Sequence, residues 1–283
     1  MDRTGLLRQG LKAAEAARDA ADVDPFGPAD PYAAAESFGL RVNFSATSME
    51  GFYFKGDPAN ILVSSLRPVG RRAFTCAHEL GHHWFGHGST IDQLQEDDRD
   101  DSSKPDEVLA NAFAAFFLMP TVVVRAAFAA REWSIAAPTP LQLFTIACEL
   151  GVGYITLLNH LSYTLREVNV PTREELKRWT PQRIRKQLLA DNAEEPIIVI
   201  DPHSAAPTYD IEKEAGVLLP AGAQVDGKAL VFIRSLDGFD LYRATRRGEA
   251  AVAGAAERGR VRVMPKKYEG PARRRFLEDP DED

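Results

Sequence analysis

His78 and His82 stand four residues apart in His78-Glu79-Leu80-Gly81-His82, a spacing that turns two imidazoles to one face of a helix and lets them grip one metal ion. Glu79, beside the first imidazole, is placed to take a proton from a water rather than to bind the metal. Catalytic zinc sites use three protein ligands and keep a fourth position open, so another donor must come from elsewhere in the chain. Glu107 is the best candidate. It enters a nearly all-apolar stretch, residues 107–119, where a carboxylate is costly unless paired or metal-bound. Asn111, one turn further on the same face, would orient a ligand from behind. Two neutral imidazoles and one carboxylate fit zinc, although manganese or iron accepts the same donors. With Glu79 as general base, the chemistry would be hydrolysis of a peptide bond. Tyr53 is a candidate oxyanion donor, and the strand at residues 51–54 is expected to be exposed and to pair with an extended substrate.

The remaining histidines and cysteines carry weaker expectations. His83 and His87 cannot share the face of the ligands and read as histidines at the surface or behind the site. Cys76 reads as core, and His160 and His203 show no partner pattern.

The elements that must hold these residues follow from periodicity and punctuation. A helix is expected over residues 6–21 with Leu7, Leu11 and Ala14 as its apolar stripe, then a second over residues 31–38 that starts at Pro31 and stops at Gly39. Strands follow at residues 40–45, 51–54 and 60–64, the last two joined by Gly56-Asp57-Pro58. The motif helix starts near Gly70 or Arg71, buries Phe74, Ala77, Gly81 and Trp84 or Phe85, and ends at Gly86 and Gly88. Gly81 costs roughly 1 kcal/mol inside a helix and implies close approach of another backbone. Residues 89–104 are polar and acidic and read as a solvated loop in preference to a second metal site. Ser103 is expected to cap the helix that carries Glu107, with Pro105 in its first turn and Pro120 as its stop.

Residues 141–163 read as two helices about a turn at Gly151-Val152-Gly153. That outline suggests DNA binding, but the second helix offers Tyr154, Thr156, Asn159 and His160 and no cation before Arg166. A packed helical pair is favoured over direct nucleic-acid contact. Residues 172–189 form a charged helix divided at Pro181. Beyond a linker, strands are expected at residues 196–200, 229–233, 239–243 and 261–264, with Leu236-Asp237-Gly238 as a hairpin turn. The basic and then acidic tail reads as solvated.

The 283 residues carry a net charge of -7, are 45% hydrophobic and contain two cysteines. These values fit an ordinary globular protein in a reducing cytoplasm, without a disulfide framework. No apolar run reads as a membrane span, and the start shows no export signal.

Gly51-Phe52-Tyr53, Ile61-Leu62-Val63, residues 72–82 and residues 107–120 occur in that order, and together they resemble the ImmA/IrrE family of bacterial and phage-associated metallopeptidases. Ala73, where the family usually carries arginine, departs mildly. The resemblance covers about residues 30–165. It implies zinc on His78, His82 and Glu107, Glu79 as general base, and a partner cut by the enzyme: a helix-turn-helix repressor or antitoxin-like protein whose loss releases transcription. The expected fold is α+β, a zincin-like helical metallopeptidase domain with a small sheet, followed by a helical pair and a small β-rich C-terminal domain. The expected divisions are 1–29, an N-terminal helix and linker; 30–170, the peptidase domain with the helical pair; 171–195, a helical linker; and 196–283, the β-rich domain and tail. The rival is a non-catalytic metal-containing binding or transcription-regulatory module, such as one half of a toxin–antitoxin-like pair. The intact Glu79 favours the peptidase, since a structural site needs no base.

Overall fold

Helix α1 (Arg3–Ala20) starts where the Asp2 side chain accepts from the Gly5 N–H. In this computed structural model, which describes residues 2–92, 104–189, 194–254 and 259–277, the chain forms two units. One is Met1–Pro120 with Lys267–Arg275, and the other is Thr121–Lys266 with Phe276–Asp283.

In the first unit α1 is followed by α2 (Pro31–Ser37), β1 (Arg41–Ser45), β2 (Gly51–Phe54), β3 (Asn60–Ser64), α3 (Val69–Trp84), β4 (Thr90–Asp92) and α4 (Pro105–Leu118). The buried face of α1 is Leu6, Gly10, Ala13, Ala14 and Ala17, not the expected stripe through Leu7 and Leu11. Small residues chose it: a Cβ on Gly10 would lie 2.5 Å from Ala112 Cβ of α4, so the two helices touch where α1 is thinnest. Arg18 then donates to the Phe117 carbonyl at 2.8 Å, filling an acceptor that the end of α4 leaves open. Residues 93–103, most of the acidic loop, lie outside the described residues.

Two expectations are corrected here. Lys104 is the N-cap of α4 and makes no side-chain capping bond, so Pro105 and the first-turn acids Asp106 and Glu107 carry that end. Strand β2 is not a free edge: it pairs antiparallel with β3 on one side and with β4 on the other. An extended substrate cannot add to its backbone.

The second unit contains α5 (Thr121–Ala129), α6 (Pro140–Glu149) and α7 (Tyr154–Asn159), which continues into a π-helical turn at His160–Thr164. After α8 (Val170–Lys177) and α9 (Pro181–Leu189) come β5 (Ile197–Val199), β6 (Thr208–Glu212), β7 (Gly216–Pro220), β8 (Gln224–Asp226), β9 (Leu230–Leu236), β10 (Phe239–Ala244), β11 (Gly248–Ala253) and β12 (Gly259–Met264). The helical pair bends by 105° at its glycine turn, with Gly151 at φ +64. Two four-stranded sheets, β5-β7-β10-β9 and β6-β12-β11-β8, share one core that includes Val217, Leu219, Leu230, Val252, Val261 and Val263. The hairpin β9–β10 turns at Gly238, whose φ of +75 suits glycine. Strands β6, β7, β8 and β11 have no counterpart in the sequence reading. Their runs are short, and β7 is buried at every position, so alternation never appears.

The tail also departs from expectation. Strand β13 (Gly270–Pro271) pairs antiparallel with β1, making the first sheet β13-β1-β3-β2-β4. Arg275, only 4% exposed, stacks over Tyr32 and lies 3.2 Å from Asp30. A segment that reads as solvated is tied into the first unit by a buried cation with its own counter-charge.

By length and apolarity the stretch Pro105–Ala129 meets the criterion for a membrane span, contrary to the sequence reading. Yet 61% of its most apolar window is buried inside the protein, as in a core helix. The fold is mixed α+β, with helices and a small sheet first, then a helical pair, then a β-rich part, and this arrangement is consistent with a zincin-like peptidase domain.

Candidate metal centre

Helix α3 carries the two histidines through the middle of the first unit. Every residue from Thr75 to His82 is buried, so the expected single apolar face is instead a helix enclosed all round, with Phe74, Trp84 and Phe85 only half-buried. Its entry is fixed by the Arg72 guanidinium, which donates to the carbonyls of Arg67 and Ser65. At Gly81 a Cβ would lie 3.1 Å from Ala110 Cα and 3.3 Å from the Ala110 carbonyl oxygen. The backbone approach that Gly81 implied is therefore made by α4. It also sets the register of the site, because Glu107 and Asn111 flank Ala110 on that helix.

The donor atoms then converge. His78 Nε2 and His82 Nε2 are 3.0 Å apart, Glu107 Oε2 is 3.4 Å from the first and Glu107 Oε1 is 3.6 Å from the second. One ligand atom from each of the three residues lies within 4.8 Å of the others. Ligands about 2.0–2.1 Å from a tetrahedral zinc sit roughly 3.3–3.4 Å from one another, so these separations bracket what the ion needs. His82 is fully buried, whereas the Glu107 side chain is 26% exposed, so the site opens on the glutamate side. The imidazoles of His78 and His82 hold the Glu107 carboxyl well below the usual carboxylate range, against the opposing effect of burial.

The outward nitrogens are occupied. Asn111 Oδ1, an acceptor only, is 3.1 Å from His78 Nδ1, which must carry a hydrogen, so that the lone pair of a neutral His78 is on Nε2. His82 Nδ1 lies 2.9 Å from His87 Nδ1. Helix α3 ends with Gly86 at φ +70; Gly86 N–H donates to the His83 carbonyl and His87 N–H to the His82 carbonyl. This left-handed ending turns His87 back over the last turn, behind His82. The His87 position follows from the Gly86 signal; the contact of its Nε2 with Asp106 Oδ1 at 3.5 Å, from the next helix, had no signal in the sequence.

Glu79 is fully buried. A Cβ on Gly51 would lie 2.8 Å from Glu79 Oε1 and 2.4 Å from Thr75 Cγ2, so β2 can begin there only as glycine. The Tyr53 hydroxyl is 3.0 Å from His83 Nδ1. Burial raises the pKa of Tyr53 and lowers that of His83, with Lys55 adding to the latter, so a neutral phenol meets a neutral imidazole. Cys76 is core, its thiol pushed up by burial, with Sγ 3.7 Å from the Pro31 carbonyl. In the second unit, Tyr154 donates to the Leu176 carbonyl at 3.0 Å and Asn159 accepts from Arg173 at 2.8 Å, so both groups are engaged within the unit.

Comparison with known proteins agrees with the sequence motifs. Residues 35–162 match the family model of the IrrE N-terminal-like domain, peptidase M78. No curated protein matches. A solved structure described as a Mycobacterium tuberculosis transcriptional regulator is 20% identical with a TM-score of 0.36; the match covers 56% of this chain and 49% of that one, about half its length. The motif histidines and Glu107 are drawn together inside residues 35–162, the stretch that is similar to the IrrE N-terminal-like domain of the peptidase M78 family.

Proposed function

We propose that the chain is a zinc-dependent endopeptidase that acts in the cytoplasm on a regulatory protein, a helix-turn-helix repressor or antitoxin-like partner, and so controls transcription. The observation that carries this reading is the meeting of His78, His82 and Glu107 within 4.8 Å, with the intact Glu79 buried on the same helix. The three residues would hold the zinc, which when bound supplies Lewis acidity toward a peptide carbonyl and an attacking water. Glu79 would take the proton from the attacking water and pass it to the leaving amine. Asn111 keeps His78 in the tautomer whose Nε2 faces the site. The substrate enters on the partly exposed side of Glu107, and Tyr53 helps to hold the oxyanion side of the site. The choice of a repressor as substrate rests on the family alone.

The test is co-expression with a helix-turn-helix regulator encoded beside this gene, comparing wild type with Glu79→Gln. Loss of the regulator with wild type and its persistence with the variant are expected. Equal loss in both, or none in either, would sink the peptidase reading.

A further inference from the structure

His82 is fully buried, and His87 Nδ1 lies against its Nδ1 at 2.9 Å. For His82 to turn a lone pair inward from Nε2, its Nδ1 must carry the hydrogen and His87 Nδ1 must accept it. The remaining hydrogen of a neutral His87 is then on Nε2, which faces Asp106 Oδ1 at 3.5 Å. We infer that His87, backed by Asp106, is a positioning residue that sets the tautomer and ring orientation of His82 for metal binding.

The arrangement gives α4 a double hold on the site. Asn111 orients His78 directly, and Asp106 orients His82 through His87, while Glu107 between them is the remaining donor. The His87 ring is itself fixed, stacked on Phe85 with centroids 5.6 Å apart and planes 22° from parallel. Its backbone N–H donates to the His82 carbonyl, so the ligand and the group behind it are bonded through both main chain and side chain. Such outer partners typically change metal affinity by about 10–100-fold.

This inference rests on the metal-site reading above, and the experiment separates the two. Zinc affinity is measured by competition with a chromophoric chelator for wild type, His87→Phe, His87→Gln, Asp106→Asn and Glu107→Ala. Phenylalanine keeps the stacked ring and removes the acceptor; glutamine restores an acceptor oxygen. His87→Phe should bind zinc about 10–100-fold more weakly. His87→Gln should recover most of that loss, and Asp106→Asn should lose less than His87→Phe. In the metal-free protein, nitrogen-15 spectra of the histidines should show His82 as the Nδ1–H tautomer, and His87→Phe should disturb it. Wild-type affinity in His87→Phe, or equal loss in the phenylalanine and glutamine variants, would overturn the positioning role. A wild type that binds no zinc, or a Glu107→Ala that binds as tightly as wild type, would instead defeat the metal-site reading. The tautomer of His82 in the metal-free protein judges the His87 contact even then, and an Nε2–H form would refute it.

Discussion

Two buried charge clusters, one in each unit, use similar residues to opposite ends. In the second unit Arg131 donates to Asp201 through Nε at 2.6 Å and Nη2 at 2.7 Å, meets Glu149 at 2.7 Å, and donates from Nη1 to the Ala127 carbonyl at 2.8 Å. Ser204 and the Ala205 N–H satisfy the carboxylates further. The cation is part of the chain, and the cluster is closed. In the first unit one possible ligand atom from each of His78, His82 and Glu107 lies within 4.8 Å of the others, with Asn111 and His87 behind the imidazoles. A cluster neutralised from within holds a fold together; one whose donors face a common point is built to hold something else.

Removing a donor is the harshest way to break this contrast. His82→Ala should take the protein from one zinc to none by elemental analysis, a fall in affinity beyond the roughly 100-fold that outer groups cause. Retention of zinc in that variant would place the metal elsewhere. The matching change in the second unit is Arg131→Met, which leaves two buried carboxylates without their cation. It should cost about 3–5 kcal/mol of stability in urea denaturation and leave zinc content unchanged. A stability change within error would show that the cluster is not structural.

Acidification sharpens the comparison at a smaller scale. Burial opposes ionisation of Asp201, but Arg131, Ser204 and the His203 N–H outweigh it, and its folded pKa lies below the ordinary value. A depressed carboxylate contributes stability in full above the unfolded pKa and loses it as pH falls through the folded one. Stability should therefore drop on acidification below the ordinary aspartate range, and Asp201→Asn should flatten that slope. An unchanged slope in the variant would assign the acid sensitivity to other groups. The smallest effect is expected from Tyr53→Phe, which removes the hydroxyl from His83: about 1 kcal/mol of stability, with zinc content as in wild type. Its peptidase rate tests the oxyanion role separately; a rate equal to wild type would end that proposal.

Local signals marked the residues that meet in the first-unit cluster. The spacing of His78 and His82 made a shared face inevitable on any helix. Pro120 stopped α4, Gly151 turned the helical pair, and Gly238 marked its hairpin, because each acts on its own backbone. Glu107 was legible as an acid out of place at the head of an apolar run. What resisted reading was whatever depended on a partner far along the chain. The face of α1 was decided by Ala112, across about a hundred residues; β2 was closed by β4; and Arg275 found Asp30. Local periodicity holds no information about such encounters.

The same division runs through the site. From the sequence alone come the two imidazoles, the glutamate between them and the carboxylate candidate, since residue type and helical period determine those. Only the tertiary structure brought Glu107 to the histidines, through the backbone contact at Gly81, and put Asn111 and His87 behind them. Which nitrogen of an imidazole faces inward is settled by what lies against the other one, and that neighbour is a product of packing.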